Sequence, residues 1–271
     1  MSASPDAGAA LAALVTALNA SPAASLAERF RQAASVIPGR LVLTTSFGLE
    51  DQVLTHAIAE SGVNANAESS VAVELATLDT GRLFPETYDV WVATEERYGI
   101  LVRAFYPQTD AVEALVGEQG IAGFRRSVPE RMNCCGIRKV EPLGRTLVGA
   151  AGWITGLRAD QSAHRGGTPF AEVDVGRGLV KINPLFDWSR ARVAEFAAAQ
   201  DVPVNVLHGR GFPSIGCAPC TRAVALGEDE RAGRWWWENE TQGDEASQEC
   251  GLHLSLDGRL VRGPKTEKVS A

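Results

Sequence analysis

Two stretches of this chain share a layout that few folds can use. "RLVLTTSFGLEDQVLTHAIAESG" is a short β-rich run, a glycine-containing turn and a helix whose Val53, Leu54, Ala57 and Ile58 make one apolar face. "VAVELATLDTGRLFPETYDVWVATEERYG" repeats the layout, with a strand ending at Asp79, a loop of Thr80, Gly81 and Arg82, and a helix opened by Pro85. A strand that returns parallel to the last needs a crossover, usually a helix, so this alternation predicts a mostly parallel sheet wrapped by helices. It continues with "ILVRAFYP" as a strand, "TDAVEALVGEQG" and "RKVEPLGRTLVG" as helices, and "GWITGLRADQS" as a strand running into a loop. Ligands of such sheets collect beyond the carboxyl ends of the strands, where this reading puts Ser46, Gly48, Asp79, Thr80, Gly81 and Arg158. A strand-turn-helix unit also offers backbone N–H groups and a helix dipole to an anion.

Ahead of the alternation, "NASPAASLAERFRQAASVIPG" predicts a helix, with Ser21 as its cap, Pro22 at its first position, and Leu26, Phe30, Ala33 and Ile37 at helical spacing. Residues 1–39 therefore read as a helical preface and 40–237 as the α/β unit. After "AQDVPVNVLHGRGFPSIGC" the chain turns Gly- and Pro-rich, then aromatic at "RAGRWWWENE" and polar at "TQGDEASQ", so 238–271 reads as a mobile C-terminal segment. The N-terminus is Ala-rich and lacks the basic start of a secretory signal, which predicts a cytoplasmic protein. No run approaches the 18 or so apolar residues of a membrane helix. A net charge of -7 argues against an extended footprint on nucleic acid, while leaving room for a local basic pocket around a small anion.

Five cysteines, an odd number, speak against a disulfide framework and for metal ligands plus one further thiol. Cys134 and Cys135 are adjacent, on the N-terminal side of the helix read from "RKVEPLGRTLVG", and Cys217 and Cys220 follow after a gap of 81 residues. Zinc is one reading, although an adjacent pair fits zinc-ribbon geometry poorly. A redox dithiol at Cys217 and Cys220 is another, but it opens no thioredoxin-type unit and leaves the first pair unexplained. A 4Fe-4S cluster is the third, since different irons can take thiolates from neighbouring residues and Arg138 and Lys139 would offset its negative charge. Cys250, in "QECGLHLS", is either an ordinary free thiol or one whose chemistry is tuned by His253.

Taken in order, "TSFGLEDQVL", "LDTGRLFPETY", "CCGIRKVEPL", "WITGLRADQS", "GCAPCTR", "RAGRWWWE" and "ECGLH" resemble the assimilatory adenylylsulfate (APS) reductases. These are close relatives of the phosphoadenylylsulfate (PAPS) reductases in the adenine nucleotide α-hydrolase-like superfamily. "SFGLED" departs from the SGGxDS loop of ATP-hydrolysing relatives, which weakens an ATP-pyrophosphatase reading. The resemblance implies a Rossmann-like α/β fold and thioredoxin-dependent reduction of APS to sulfite and AMP. It implies one 4Fe-4S cluster on Cys134, Cys135, Cys217 and Cys220, and Cys250 as the nucleophile that becomes an S-sulfocysteine. It further implies that Lys139, Arg231, Arg234 and His253 meet the phosphosulfate, with Ser46 and Arg158 as additional substrate contacts. Gln248 stands where a basic residue is common before ECGLH, and the residues beyond Leu254 have no firm counterpart in the family. With no glutaredoxin-like segment after the motif, the expected reductant is a separate dithiol protein; the sequence leaves open whether the chain forms a homo-oligomer. A PAPS-specific reductase and a zinc-bearing nucleotide-binding regulator are the two rival readings.

Overall fold

The structure, a computed structural model, describes residues 5–63, 73–158 and 168–238. The strands are β1 (Leu41–Thr45), β2 (Val73–Leu78), β3 (Arg103–Phe105), β4 (Gly152–Ile154), β5 (Ala171–Asp174) and β6 (Leu179–Ile182). They form one sheet in the order β3-β2-β1-β4-β6-β5, parallel throughout except that β5 runs antiparallel to β6. The expected mostly parallel, helix-flanked sheet is therefore present. Its topology reverses direction between β1 and β4, which is where a crevice opens at the strand ends.

The central strand explains why the sheet is buried on both faces. Leu41, Val42 and Leu43 have no exposed surface, and their side chains alternate between two cores as the pleat requires. Leu41 and Leu43 face a large core shared with α2 (Leu26–Val36), α3 (Leu49–Ser61) and α8 (Arg190–Ala199). Val42 faces a smaller one with Trp153, Leu143 and Leu147, the last two from α7 (Glu141–Thr146) and the residue after it. Burying each such side chain stabilises by about 1.5–3 kcal/mol. Gly152 lets β4 lie close to β1, because a Cβ there would stand 2.7 Å from Leu41 Cδ2.

Two helices precede the sheet, α1 (Pro5–Ala20) and α2, where one was expected. The cap of α2 also differs from expectation. Ser25, not Ser21, receives the Glu28 N–H while Glu28 reaches back to the Ser25 N–H, so Pro22 lies outside the helix. Reciprocal satisfaction of two end groups outweighs the preference for proline in the first turn. Buried Arg29 then ties α2 to the segment before α8 through a two-pronged pair with Asp187 at 2.6 and 2.7 Å and a bond to the Pro184 carbonyl. Among the described residues the other α-helices are α4 (Pro85–Tyr98), α5 (Thr109–Gln119) and α6 (Val128–Cys135). Among the described residues no helix is long and apolar enough to cross a membrane.

Candidate active site

A cavity of about 280 Å³ opens beyond the carboxyl ends of β1, β2 and β4. Its sheet-side wall begins with the β1–α3 loop. Phe47 takes a left-handed backbone conformation (φ 57°), which costs about 1–2 kcal/mol for a residue with a Cβ. The cost is offset by burying its ring against Trp91, stacked at 5.4 Å, so the turn holds its shape without a glycine. Asp51, in the first turn of α3, closes the loop by accepting from the Ser46 N–H at 2.7 Å and the Ser46 hydroxyl at 2.8 Å. Burial pushes its carboxyl up to about 6 even though these bonds favour the charged form. The next strand end repeats the device: Asp79 accepts from the Gly81 N–H and from the Tyr88 hydroxyl.

The opposite wall is irregular chain. Residues 211–235 double back as a strap, closed by a bridge between Thr221 and Arg234 and by a bond from the Arg222 N–H to the Gly233 carbonyl at 2.9 Å. Gly216 makes room for Arg234, whose guanidinium lies 2.3–2.7 Å from where a Cβ would be. Arg231, Arg234 and Lys139 line the cavity with Ser46 opposite, so four expected contacts converge there. Arg158 does not line it; it lies beneath the wall, 1% exposed, bonded to Glu50 at 2.8 Å and to Glu230 at 3.4 Å. Cys250 and His253 lie outside the described residues.

The four remaining cysteines come together in a second, smaller cavity with Arg82, Phe124, Arg131, Arg138 and Trp235. Cys134 and Cys135 sit at the end of α6, not on the N-terminal side of a new helix as expected. The chain runs on without a break through a π turn, Gly136–Val140, into α7. The extra residue of a π turn rotates the next stretch of helix about its axis, and such turns are frequent at functional sites. Here Arg138 and Lys139, inside the turn, also line the cysteine cavity. Arg138 donates to the Thr80 carbonyl at 2.7 Å, which joins the turn to the β2 loop. Among the described residues none of these four cysteines forms a disulfide. Burial pushes Cys134 up, and burial together with neighbouring Cys217 pushes Cys220 up to about 12. Burial would raise Cys217 as well, but Lys139, the Thr80 hydroxyl 3.2 Å away, Arg234 and Arg138 outweigh it and hold this thiol below its ordinary value. Lys139 and Cys217 border both cavities. Among the described residues no three His, Cys, Asp or Glu side chains are placed to hold a single metal ion.

The root of the C-terminal segment is fixed beside the thiols. Arg131, fully buried on α6, forms a two-pronged pair with buried Glu238 and lies 4.4 Å over the ring of Trp235. Nothing in the sequence pattern marked this pair, because its members are 107 positions apart. Arg190 and Glu230, which line the larger cavity, carry no local signal for the same reason.

Residues 40–223 match the phosphoadenosine phosphosulfate reductase domain. The adenosine 5'-phosphosulfate reductase of Sinorhizobium fredii (strain USDA 257) is 53% identical over 219 residues, 81% of this chain and 82% of that protein. The protein of the same name from Allochromatium vinosum is 47% identical over 213 residues, 79% of this chain and 78% of its own length. Among solved structures, the phosphoadenylyl-sulfate reductase of Candida auris, in a phosphate complex, superposes with a TM-score of 0.63 at 28% identity, over 78% of this chain and 96% of that one. The chain belongs to the phosphoadenosine phosphosulfate reductase domain family.

Proposed function

We propose that this member of the family reduces adenosine 5'-phosphosulfate to sulfite and AMP in sulfate assimilation, with thiols as the source of both electrons. The observation that carries the reading is the shared wall: Lys139 and Cys217 border both the anion pocket and the four-cysteine cavity. Relatives named adenosine 5'-phosphosulfate reductase, 47–53% identical, support it.

The substrate is a mixed anhydride of sulfate and a nucleotide phosphate, so the protein has to place a thiolate in line with sulfur and hold the departing AMP. Arg231 and Arg234, on the strap, suit planar recognition of phosphate and sulfate oxygens, and Lys139, which lines the same pocket, supplies a point charge. Ser46 lines the same pocket from the β1 loop, and His253 is a further candidate contact. The Cys250 thiolate attacks sulfur, an S–S bond forms as the S–O bond breaks, and AMP leaves with the electron pair. A reduced dithiol protein of the thioredoxin kind then attacks Cys250 Sγ and releases sulfite. Its second thiol frees Cys250 and leaves the partner as a disulfide.

Cys134, Cys135, Cys217 and Cys220 would hold a 4Fe-4S cluster, which when bound supplies a compact charged group beside Lys139 at the sulfate end of the pocket. The donor set fits. A single ion needs ligands converging on one point, whereas a cluster takes each thiolate on a different iron, so four thiols around one cavity suit the cluster better. Arg138 and Lys139 are placed to offset its charge. Cys134→Ser should lose iron and activity together, and full activity in an iron-free variant would exclude the cluster from the reaction.

The deciding experiment is thioredoxin-dependent sulfite release from APS and from PAPS, side by side, on anaerobically purified protein. Strong preference for APS is the expected result. Preference for PAPS would assign the chain to the other branch of the family, and sulfite from neither would overturn the reading.

A further inference from the structure

Glu230 stands among the cations of the larger cavity as an anion would. Its carboxylate is 2.9 Å from Arg190 Nη1 and 3.4 Å from Arg158 Nη2. Arg158 is 1% exposed, and a cation so far from water has to be paired in the free protein. Among the described residues, Glu50 and Glu230 both pair with it, and they differ. Glu50 is close, at 2.8 Å, and its side chain is 17% exposed; Glu230 is farther, at 3.4 Å, and 39% exposed. The short, sheltered contact is a permanent support. The long, exposed one, on a turn of the strap, is free to leave. Glu230 also lines the pocket where Arg158 does not, so it covers the Arg158 guanidinium from the pocket side.

We infer that Glu230 is a displaceable stand-in for the substrate's anionic group, and that Arg190, with Arg158, is the cationic seat it gives up. The inference rests on the proposed function for the class of ligand, a nucleoside 5'-phosphate derivative. It adds Arg190 to the binding residues and assigns a role to an acidic side chain in a pocket built for anions. In the free protein Glu230 pairs with both guanidinium groups. On binding, the ligand phosphate takes Arg190 and the uncovered edge of Arg158, and Glu230 turns to water. Competition between an internal carboxylate and the ligand weakens binding of both substrate and AMP, which favours product release.

The test is calorimetric binding of AMP and of adenosine to wild-type protein and to Glu230→Gln, Arg190→Gln and Asp201→Asn. Removing the competing charge at Glu230 should tighten AMP by about three- to fivefold, the size of one partly screened ion pair. Adenosine, which carries no phosphate, should be unchanged. Arg190→Gln should weaken AMP by at least about tenfold, as expected for a lost charged hydrogen bond. Asp201→Asn removes an exposed carboxylate that pairs with Arg97 outside the pocket lining, and should change neither ligand. Unchanged or weaker AMP binding in Glu230→Gln, or an equal gain for adenosine, overturns the inference. If Glu230→Gln does not fold, unchanged AMP affinity in Arg190→Gln overturns it alone. Sulfite release by the wild-type protein is read separately. A chain that reduces APS but shows no gain in Glu230→Gln loses only this inference, and one that binds no AMP and releases no sulfite loses both readings.

Discussion

The β1 and β2 loops face the 211–235 strap across one pocket, yet the two walls are held in place by different means. The sheet side inherits its position from strands with unexposed side chains, in register from Leu41↔Val73 and Leu41↔Gly152. Each of its loops is closed by a carboxylate, Asp51 or Asp79, and a threonine hydroxyl, Thr45 or Thr80, that accept from the loop backbone. The strap carries little repeating backbone structure. Its shape comes from the Thr221–Arg234 bridge, the Arg222–Glu228 pair, and Arg131 over Trp235 with Arg125 5.4 Å from the rings of both Trp236 and Trp237. Apolar burial is tolerant of small changes in side-chain geometry, whereas buried charge depends on every partner being present. The pocket thus pairs a rigid floor with a wall that individual side-chain contacts hold and can release.

The largest effect expected leaves both walls intact. Cys250→Ser should cut sulfite release at least about a thousandfold, as for other nucleophile deletions, with AMP affinity unchanged. Intact mass should show no sulfo-adduct, and an adduct on another residue would refute the assignment. Next come two substitutions that separate the walls. Arg131→Met removes the guanidinium that pairs with buried Glu238 and should cost about 3–5 kcal/mol, while Leu43→Ala opens the sheet core for about 2–5 kcal/mol. Their unfolding should differ in kind. Leu43→Ala should lower a single urea transition seen by tryptophan fluorescence and far-ultraviolet dichroism together. In Arg131→Met the fluorescence of Trp235–Trp237 should change first, and coincident transitions there would erase the distinction between walls.

A smaller effect is a pH dependence on the sheet side. The Asp51 carboxyl is raised to about 6 by burial, so its contribution is fully present below the unfolded value of about 4 and is lost as pH rises through 6. Asp51→Asn should remove this decline, about 2–3 kcal/mol at most, in thermal midpoints measured from about pH 4 to 7. Asp187 carries the opposite sign: hydrogen bonds from Arg29 hold it low, so its contribution is present above the unfolded value and is lost only as pH falls below it. A decline of equal slope in Asp51→Asn would show that the loop carboxylate is not its source. The smallest effect is Ser25→Ala, which removes the cap of α2 for about 1 kcal/mol and should leave AMP binding untouched. A change in AMP affinity there would mean that the N-terminal helices act on the pocket.

Several elements are legible in the residues alone. β1, α3, β2 and α4 follow from apolar runs, Pro85 and the glycine turns, since each depends on residues a few positions apart. α6 escaped because "VPERMNCCGIRKV" mixes Pro, Gly and polar residues, and a π turn shifts the period that betrays a helix. β5 and β6 escaped because each is four residues long, and "AEVD" alternates too weakly to stand out.

Residue type and short-range spacing were enough to specify a parallel α/β frame, the strand ends where a pocket must open, and the chemistry available there in thiols and arginines. The convergence of Cys134–Cys135 with Cys217 and Cys220, the burial of Arg131 against Glu238, and the placing of Glu230 between Arg158 and Arg190 were settled in three dimensions. Each joins parts of the chain whose distance depends on how the sheet and strap pack, and a charge declares its partner only once water has been excluded around it.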